Sequence, residues 1–105
     1  MRVNKDTLKD NFTLEEQILS QLGFALSHPV RIAICELLQE HQSGLTFGEI
    51  LDKFKFAKST IFQHIDILKE FGYVKCQENS NRTRLSLNFD NWMKANNILK
   101  NFAEL

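Results

Sequence analysis

The sequence predicts a mostly helical α+β fold with about five helices and a two-stranded β-hairpin. One observation is a long segment, Lys58 to Phe71, that reads as a helix with one apolar and one polar side, ended by Gly72. Another is a pair of β-type segments, Tyr73 to Glu78 and Arg82 to Leu87, on either side of a turn-rich trio. With 105 residues and 43% hydrophobic content, the chain can bury one core, so residues 1–105 are expected to form a single domain.

The first two helices have recognisable start signals. Thr13 and Glu16 have the spacing of a capping box, and Pro29 suits the first position of a second helix. Residues 1–11 precede these signals and are expected to be flexible. The second helix is apolar nearly all round, which predicts that it is the central helix of the core.

A helix-turn-helix is predicted in the middle of the chain. Thr46 and Glu49 form a second capping box and open a short helix. The stretch Lys55 to Ala57 is too short for anything but a tight connection into the helix that starts at Lys58. A short helix, a tight turn and a second helix with a polar outer face make up this motif.

The second helix of this motif is predicted to read DNA. Its apolar stripe consists of Ile61, His64, Ile65 and Leu68. Its outward face carries Lys58, Ser59, Gln63 and Asp66. Short polar donors and acceptors near a helix N-terminus suit the major groove, where hydrogen bonds distinguish the base edges.

The charge distribution is compatible with a nucleic-acid partner although the net charge is zero. The segment Lys53 to Arg84 contains seven bases and three acids, a balance of +4, so the remainder carries −4. A basic part inside an acidic remainder lets one face meet phosphate. The alternative is a solvated surface on which these charges cluster by chance.

The β-hairpin is predicted to be a wing beside the DNA-recognition helix, Lys58 to Phe71, which is called the reading helix below. In its second strand, alternation places Arg82 and Arg84 on one side, together with Ser86. The other side carries Thr83, Leu85 and Leu87. One side can therefore pack against the domain while the arginines reach outward.

The two terminal helices predict a homodimer. They are expected over residues 12–26 and 90–105, with Asp90 capping the last helix. Together they would expose a larger apolar patch than a monomer usually tolerates. The predicted interface consists of Leu14, Ile18, Leu22, Trp92, Ala95, Ile98, Leu99 and Phe102. The alternative is that both helices fold back on their own subunit.

Three segments, Leu26 to Ile34, Leu45 to Ile50 and Ser59 to Val74, in this order and spacing, resemble the ArsR-type winged-helix repressors. The resemblance spans about residues 24–87. It implies a homodimer joined through its terminal helices, a helix in the major groove of double-stranded DNA, and release from the operator when an inducer binds. Carried over by position, the DNA contacts are Lys58, Ser59, Thr60, Gln63, His64 and, in the wing, Arg82 and Arg84. The matching arginine of the second helix, Arg31, is interpreted as structural or backbone-contacting.

The chain departs from this family at its usual metal sites. Thr46 and Gly48 stand where metal-sensing members often carry a Cys-x-Cys pair, and the segment Asn91 to Leu105 contains no histidine. No metal and no cofactor are therefore expected, and the inducer is unknown. A further departure is Phe62, at a position that is usually small or polar. Its ring is expected to lean back over the neighbouring helix and Phe54, and the alternative is contact with a thymine methyl group.

Other classes of function are disfavoured by the sequence. Cys35 and Cys76 are expected to be buried, reduced thiols without a redox role. No nucleophile with a base and no Gly-rich phosphate loop is visible, which argues against an enzyme. The chain shows neither a membrane-spanning stretch nor a secretory signal, so a cytoplasmic protein without a membrane partner is expected. The remaining competitor is a winged helix that binds protein rather than DNA, through its terminal helices and Phe62.

Overall fold

The computed structural model describes residues 11–79 and 82–104, and within them it contains five helices and three strands. In chain order these are α1 (Leu14–Ala25), α2 (Pro29–Glu40), β1 (Leu45–Thr46), α3 (Phe47–Leu51), α4 (Lys58–Glu70), β2 (Val74–Asn79), β3 (Arg82–Leu87) and α5 (Phe89–Ala103). This order confirms the predicted winged helix-turn-helix fold. The flexibility expected for residues 1–11 concerns residues that, apart from Asn11, lie outside the described part of the chain, as do Ser80 and Asn81 of the hairpin turn.

The predicted start signals of the first three helices are confirmed. At α1, the Glu16 N–H donates to the Thr13 hydroxyl (3.0 Å) and the Thr13 N–H donates to the Glu16 carboxylate (2.8 Å). Thr46 and Glu49 make the same reciprocal pair at α3. Pro29 occupies the first position of α2. Each box satisfies two backbone donors that a helix start leaves free.

The predicted cap of the last helix is wrong. Asn88, not Asp90, is the N-cap of α5, and its side-chain oxygen accepts from the Asn91 N–H (3.3 Å). The helix begins at Phe89, directly after β3, so Asp90 already lies in the first turn. There its carboxylate still favours the positive end of the helix dipole.

The three strands form an antiparallel sheet in the order β1-β3-β2. The hairpin register pairs Val74 with Leu87 and Cys76 with Leu85. On the other edge, Leu45 of β1 also pairs with Leu85. A two-residue strand has no period to detect, which explains why the sequence did not predict β1. Gly44 leads into it with a φ of +89°, and a Cβ there would lie 2.9 Å from the Leu85 carbonyl oxygen.

The predicted alternation along β3 is wrong: Thr83, expected on the packing side, is exposed, and burial instead increases from Arg82 towards Leu87. Arg82 is exposed and Arg84 is half-buried, but Ser86 is buried although it was predicted to face outward. At the inner end of β3, which packs against α2 and α3, the consecutive residues Leu85, Ser86 and Leu87 are all buried, so both faces are covered there. Period-2 alternation requires one open face, and this end has none.

The burial predicted for α2 and Cys35 is confirmed, whereas the burial predicted for Cys76 is not. As predicted, α2 is the central core helix, and it buries Val30, Ile34, Cys35 and Leu38. Burial, followed by the charge of Glu36, raises the pKa of the Cys35 thiol to about 12. The expected burial of Cys76 is wrong, because β2 is an edge strand whose residues after Val74 leave the core and are exposed.

The terminal helices α1 and α5 pack against each other within the chain. This places three of the predicted interface residues, Leu22, Trp92 and Ala95, in the core of the chain itself. The Trp92 ring meets Tyr73 edge-on, with centroids 6.0 Å apart. The outer parts of the same stripes stay accessible: Ile18 and Ile98 are half-buried, and Leu14, Leu99 and Phe102 are exposed. The alternative of helices folded back on their own subunit is therefore correct for the inner half of each stripe.

Within the described residues, no single helix is long and apolar enough to cross a membrane. Taken together, α1 and α2 are long and apolar enough for such a span, but they are bent by 102° at their junction.

Candidate nucleic-acid interface

Helix α4 carries the predicted polar face on the outside of the domain. Its buried side consists of Ile61, Ile65 and Leu68, and the helix packs against α2. Of the predicted DNA contacts on this helix, Lys58, Ser59 and Gln63 are exposed, whereas Thr60 and His64 are half-buried. The structure thus leaves three of the five side chains exposed at the outer face.

The N-terminus of α4 is open to an external acceptor. Its N-cap is Ala57, whose methyl group cannot accept a hydrogen bond from the first turn. The positive end of the helix dipole therefore lacks a side-chain acceptor from its own N-cap, an arrangement that suits phosphate. Lys53 and Lys55, in the turn that leads to α4, are also exposed. Together with Lys58 they place positive charge around this helix end.

A shallow surface depression lies on the outer face of α4, lined by Lys58, Ser59, Phe62 and Gln63. The Phe62 ring leans against the neighbouring helix α3, as expected, but it meets Phe47 rather than Phe54, at a centroid distance of 5.7 Å. It also stays 52% exposed. Phe62 is therefore an apolar side chain within a polar, accessible surface.

His64 is held from behind by a buried arginine. Arg31 is only 6% exposed, and its Nη1 lies 3.0 Å from His64 Nδ1. The rest of the guanidinium is anchored at the end of α1, where Nε donates to the Ala25 carbonyl (2.8 Å) and Nη2 donates to the Ser27 hydroxyl (2.9 Å). This agrees with the structural interpretation of Arg31. The contact fixes α4 relative to the junction of α1 and α2.

The arginine contact also sets the protonation of His64. A guanidinium can only donate, so Nδ1 must be the acceptor and the ring is neutral with its proton on Nε2. The His28 ring lies 4.3 Å away, centroid to centroid, and His28 Nδ1 accepts from the Val30 N–H as the N-cap of α2. Burial, then the charges of His28 and Arg31, lower the pKa of His64. The neutral form is thus the one that the fold selects.

Stability should therefore depend on pH through His64. In the unfolded chain the imidazole takes up a proton near its ordinary pKa of 6.5, whereas the folded chain resists protonation. The contribution is complete above that pH, and the free energy of unfolding should fall as the pH drops through the lowered pKa. Urea unfolding at about pH 7.5 and about pH 5.5 measures the difference. His64→Gln keeps an acceptor for Arg31 but does not titrate, so it should reduce this difference. An unchanged difference in that variant would contradict the assignment.

The two wing arginines differ in how they are used. Arg84 Nη1 donates to the Gly44 carbonyl (3.0 Å), so this half-buried side chain ties the hairpin to the loop before β1. Arg82 is exposed near the tip of the hairpin. Both arginines also help to lower the pKa of Glu49, after the larger effects of its capping hydrogen bonds with Thr46. Arg82 is therefore the freer of the two for an external phosphate.

Thr46 and Gly48, which stand where the resemblance would place a Cys-x-Cys pair, offer no such ligands. The Thr46 hydroxyl is engaged in the capping box of α3, and Gly48 has no side chain. Across residues 11–79 and 82–104, no group of three or more His, Cys, Asp or Glu side chains is arranged to hold a metal ion.

Comparison with known proteins identifies similar regulatory proteins. A family model described as "Bacterial regulatory protein, arsR family" matches residues 28–75. The uncharacterized HTH-type transcriptional regulator YceK of Bacillus subtilis strain 168 is 32% identical over 76 residues, which cover 72% of this chain and 76% of that protein.

Solved structures show the same fold. An ArsR-like transcriptional regulator from Rhodococcus sp. RHA1 superposes with a TM-score of 0.67 at 18% identity, covering 85% of this chain and 82% of that one. The transcriptional repressor BigR from Xylella fastidiosa gives a TM-score of 0.65 at 21% identity, covering 95% and 97%. At these identities the likeness concerns the fold alone.

Proposed function

This chain belongs to the ArsR family of helix-turn-helix transcriptional regulators, and we propose that it is a dimeric repressor that binds an inverted-repeat operator and is released by an inducer. The family consists of DNA-binding regulators and not of enzymes. In this proposal residues 1–105 form one DNA-binding domain, with α1 and α5 as its dimerisation helices. Such a regulator acts in the cytoplasm, where bacterial DNA lies.

The observation that carries the proposal is the outer face of α4. Ser59 and Gln63 offer hydrogen-bonding groups suited to base edges, and both are exposed. Lys58 lies beside them, at a helix start that has no side-chain cap. Arg82 supplies a cation on the wing. A sequence-specific DNA-binding surface needs side chains that contact base edges and nearby cations that contact the phosphate backbone.

The proposed dimer rests on the outer halves of the two terminal stripes. In α1 the stripe is exposed at Leu14 and buried at Leu22, and in α5 it is buried at Trp92 and exposed at Leu99 and Phe102. The apolar surface therefore continues beyond the core of the chain. A second copy related by a twofold axis covers it, with Ile18 and Ile98 at its edge. Twofold protein symmetry in turn calls for an inverted repeat.

The reading helix and the wing should make separable contributions to binding. Gln63→Ala should relax sequence preference, at a cost of roughly 1–3 kcal/mol at the base pair that Gln63 reads. Arg82→Ala should weaken binding to all duplexes alike and reduce the slope of log K against log salt by about one. Fluorescence-anisotropy titrations on matched and mismatched duplexes, at several salt concentrations, measure both effects.

Gln39→Ala is a matched control for the first variant, because Gln39 is an exposed glutamine on α2. It should leave affinity and preference unchanged. The assignment of roles is wrong if Arg82→Ala alters sequence preference and Gln63→Ala does not. A protein-binding module, the competing function, would bind duplexes without a sequence preference in the wild type.

A further inference from the structure

Phe62 is a large apolar ring on a helix face that is otherwise polar. It is 52% exposed and lines the same depression as Lys58, Ser59 and Gln63. Exposed single apolar side chains are common on protein surfaces and need no explanation by themselves. This one, however, lies within the surface that the proposed function assigns to the major groove.

The ring is also held in place before any ligand binds. Its centroid lies 5.7 Å from that of Phe47, with the two planes tilted by 58°. Phe47 is itself half-buried against the core, and the Lys58 ammonium lies 6.0 Å from the centre of its ring. An aromatic side chain that is already positioned loses little conformational freedom on binding. The outer side of the Phe62 ring is exposed, and Lys58 lines the same depression.

We propose that Phe62 recognises a thymine in each half of the operator through the C5-methyl group of the base. This inference rests on the proposed function and extends it to base identity. The C5-methyl group is the apolar feature that the major groove presents, and apolar side chains read it by contact. The neighbouring Gln63 amide matches the N6 and N7 atoms of adenine. Phe62 and Gln63 together therefore favour half-sites with an A·T pair under this part of α4.

The test uses the full chain and an operator obtained by selection from random duplexes. Each thymine of the selected site is replaced, one at a time, by deoxyuridine, which lacks only the methyl group. At one thymine in each half-site this should weaken wild-type binding about fourfold, the effect expected for losing one buried methyl group. Phe62→Ala should bind the thymine duplex and the deoxyuridine duplex with equal affinity when that position is replaced.

Phe56→Ala is the matched control, because Phe56 is also 52% exposed but precedes α4. It should keep the wild-type response to deoxyuridine. The proposal is overturned if no thymine shows a penalty that Phe62→Ala removes, including the case in which that variant loses affinity for both duplexes by the same factor. A wild-type protein that selects no sequence at all would instead count against the proposed function.

Discussion

Replacing Leu99 and Phe102 together with glutamate should convert the proposed dimer into monomers and weaken operator binding by about 10²–10⁴-fold. The two side chains are 38% and 59% exposed on the outer half of the α5 stripe, and neither belongs to the core of the chain. Two carboxylates on each copy would meet across the twofold interface and would lose their water there. Binding two half-sites through one dimer provides the avidity that a monomer lacks.

Sedimentation equilibrium gives the oligomeric state and anisotropy titration gives the affinity. Asn97→Glu is the control, since Asn97 is exposed on α5 and lies about 140–200° around the helix from Leu99 and Phe102. This variant should remain dimeric and bind. Trp92 is unsuitable for such a test because it lies in the core, where a charge would unfold the chain. A wild-type protein that is monomeric at micromolar concentration would contradict the proposed interface.

Replacing Arg31 with methionine should lower the free energy of unfolding by roughly 2–5 kcal/mol. Methionine fills a similar space but donates no hydrogen bond. The Ala25 carbonyl, the Ser27 hydroxyl and His64 Nδ1 would each lose their guanidinium partner. Because these acceptors belong to the end of α1, its junction with α2, and α4, their loss should also loosen the reading helix.

Urea unfolding monitored by circular dichroism measures this change. Lys69→Met removes an exposed cation from α4 and should shift the free energy of unfolding by less than about 0.5 kcal/mol. Arg31→Lys should restore only part of the loss, since an ammonium cannot reach several acceptors in the fixed geometry of a guanidinium. A stability of Arg31→Met within 1 kcal/mol or so of the wild type would show that this network contributes little.

Local signals in the sequence were sufficient to predict where most helices begin and where α4 ends. Thr13 and Thr46 form their capping boxes within four residues, and Gly72 ends α4 with a φ of +79°. Such features depend on backbone groups close in sequence, so they can be predicted without knowledge of the tertiary structure. The polar face of α4 follows in the same way from helical period.

Burial was harder to predict, because it depends on what packs against a residue from elsewhere in the chain. The stripe of α5 has one pattern throughout, yet Trp92 and Ala95 meet α1 and the core while Leu99 and Phe102 extend past them. Ser86 is buried in the central strand β3, which packs against α2 and α3, and Cys76 is exposed on the edge strand β2. Strand order is not encoded in the alternation of a single strand.

The same limit applies to the candidate interface. Arg31 and His64 are 33 residues apart in sequence, and no spacing rule connects them; the hydrogen bond exists because α2 and α4 pack together. Likewise, the bond from Arg84 to the Gly44 carbonyl spans 40 residues. The sequence pattern therefore predicted candidate contact residues, whereas the structure separates the exposed candidates, such as Gln63 and Arg82, from those whose side chains are already bonded within the fold.

Selection of binding sites from random duplexes by the wild-type protein is the most direct test of sequence-specific binding by a dimer. The proposed function predicts an enriched inverted repeat whose half-sites lie about one helical turn apart, centre to centre. It also predicts that the logarithm of the binding constant for this repeat falls linearly with the logarithm of the salt concentration. Recovery of no common sequence, or of a single half-site without its inverted copy, would contradict the account.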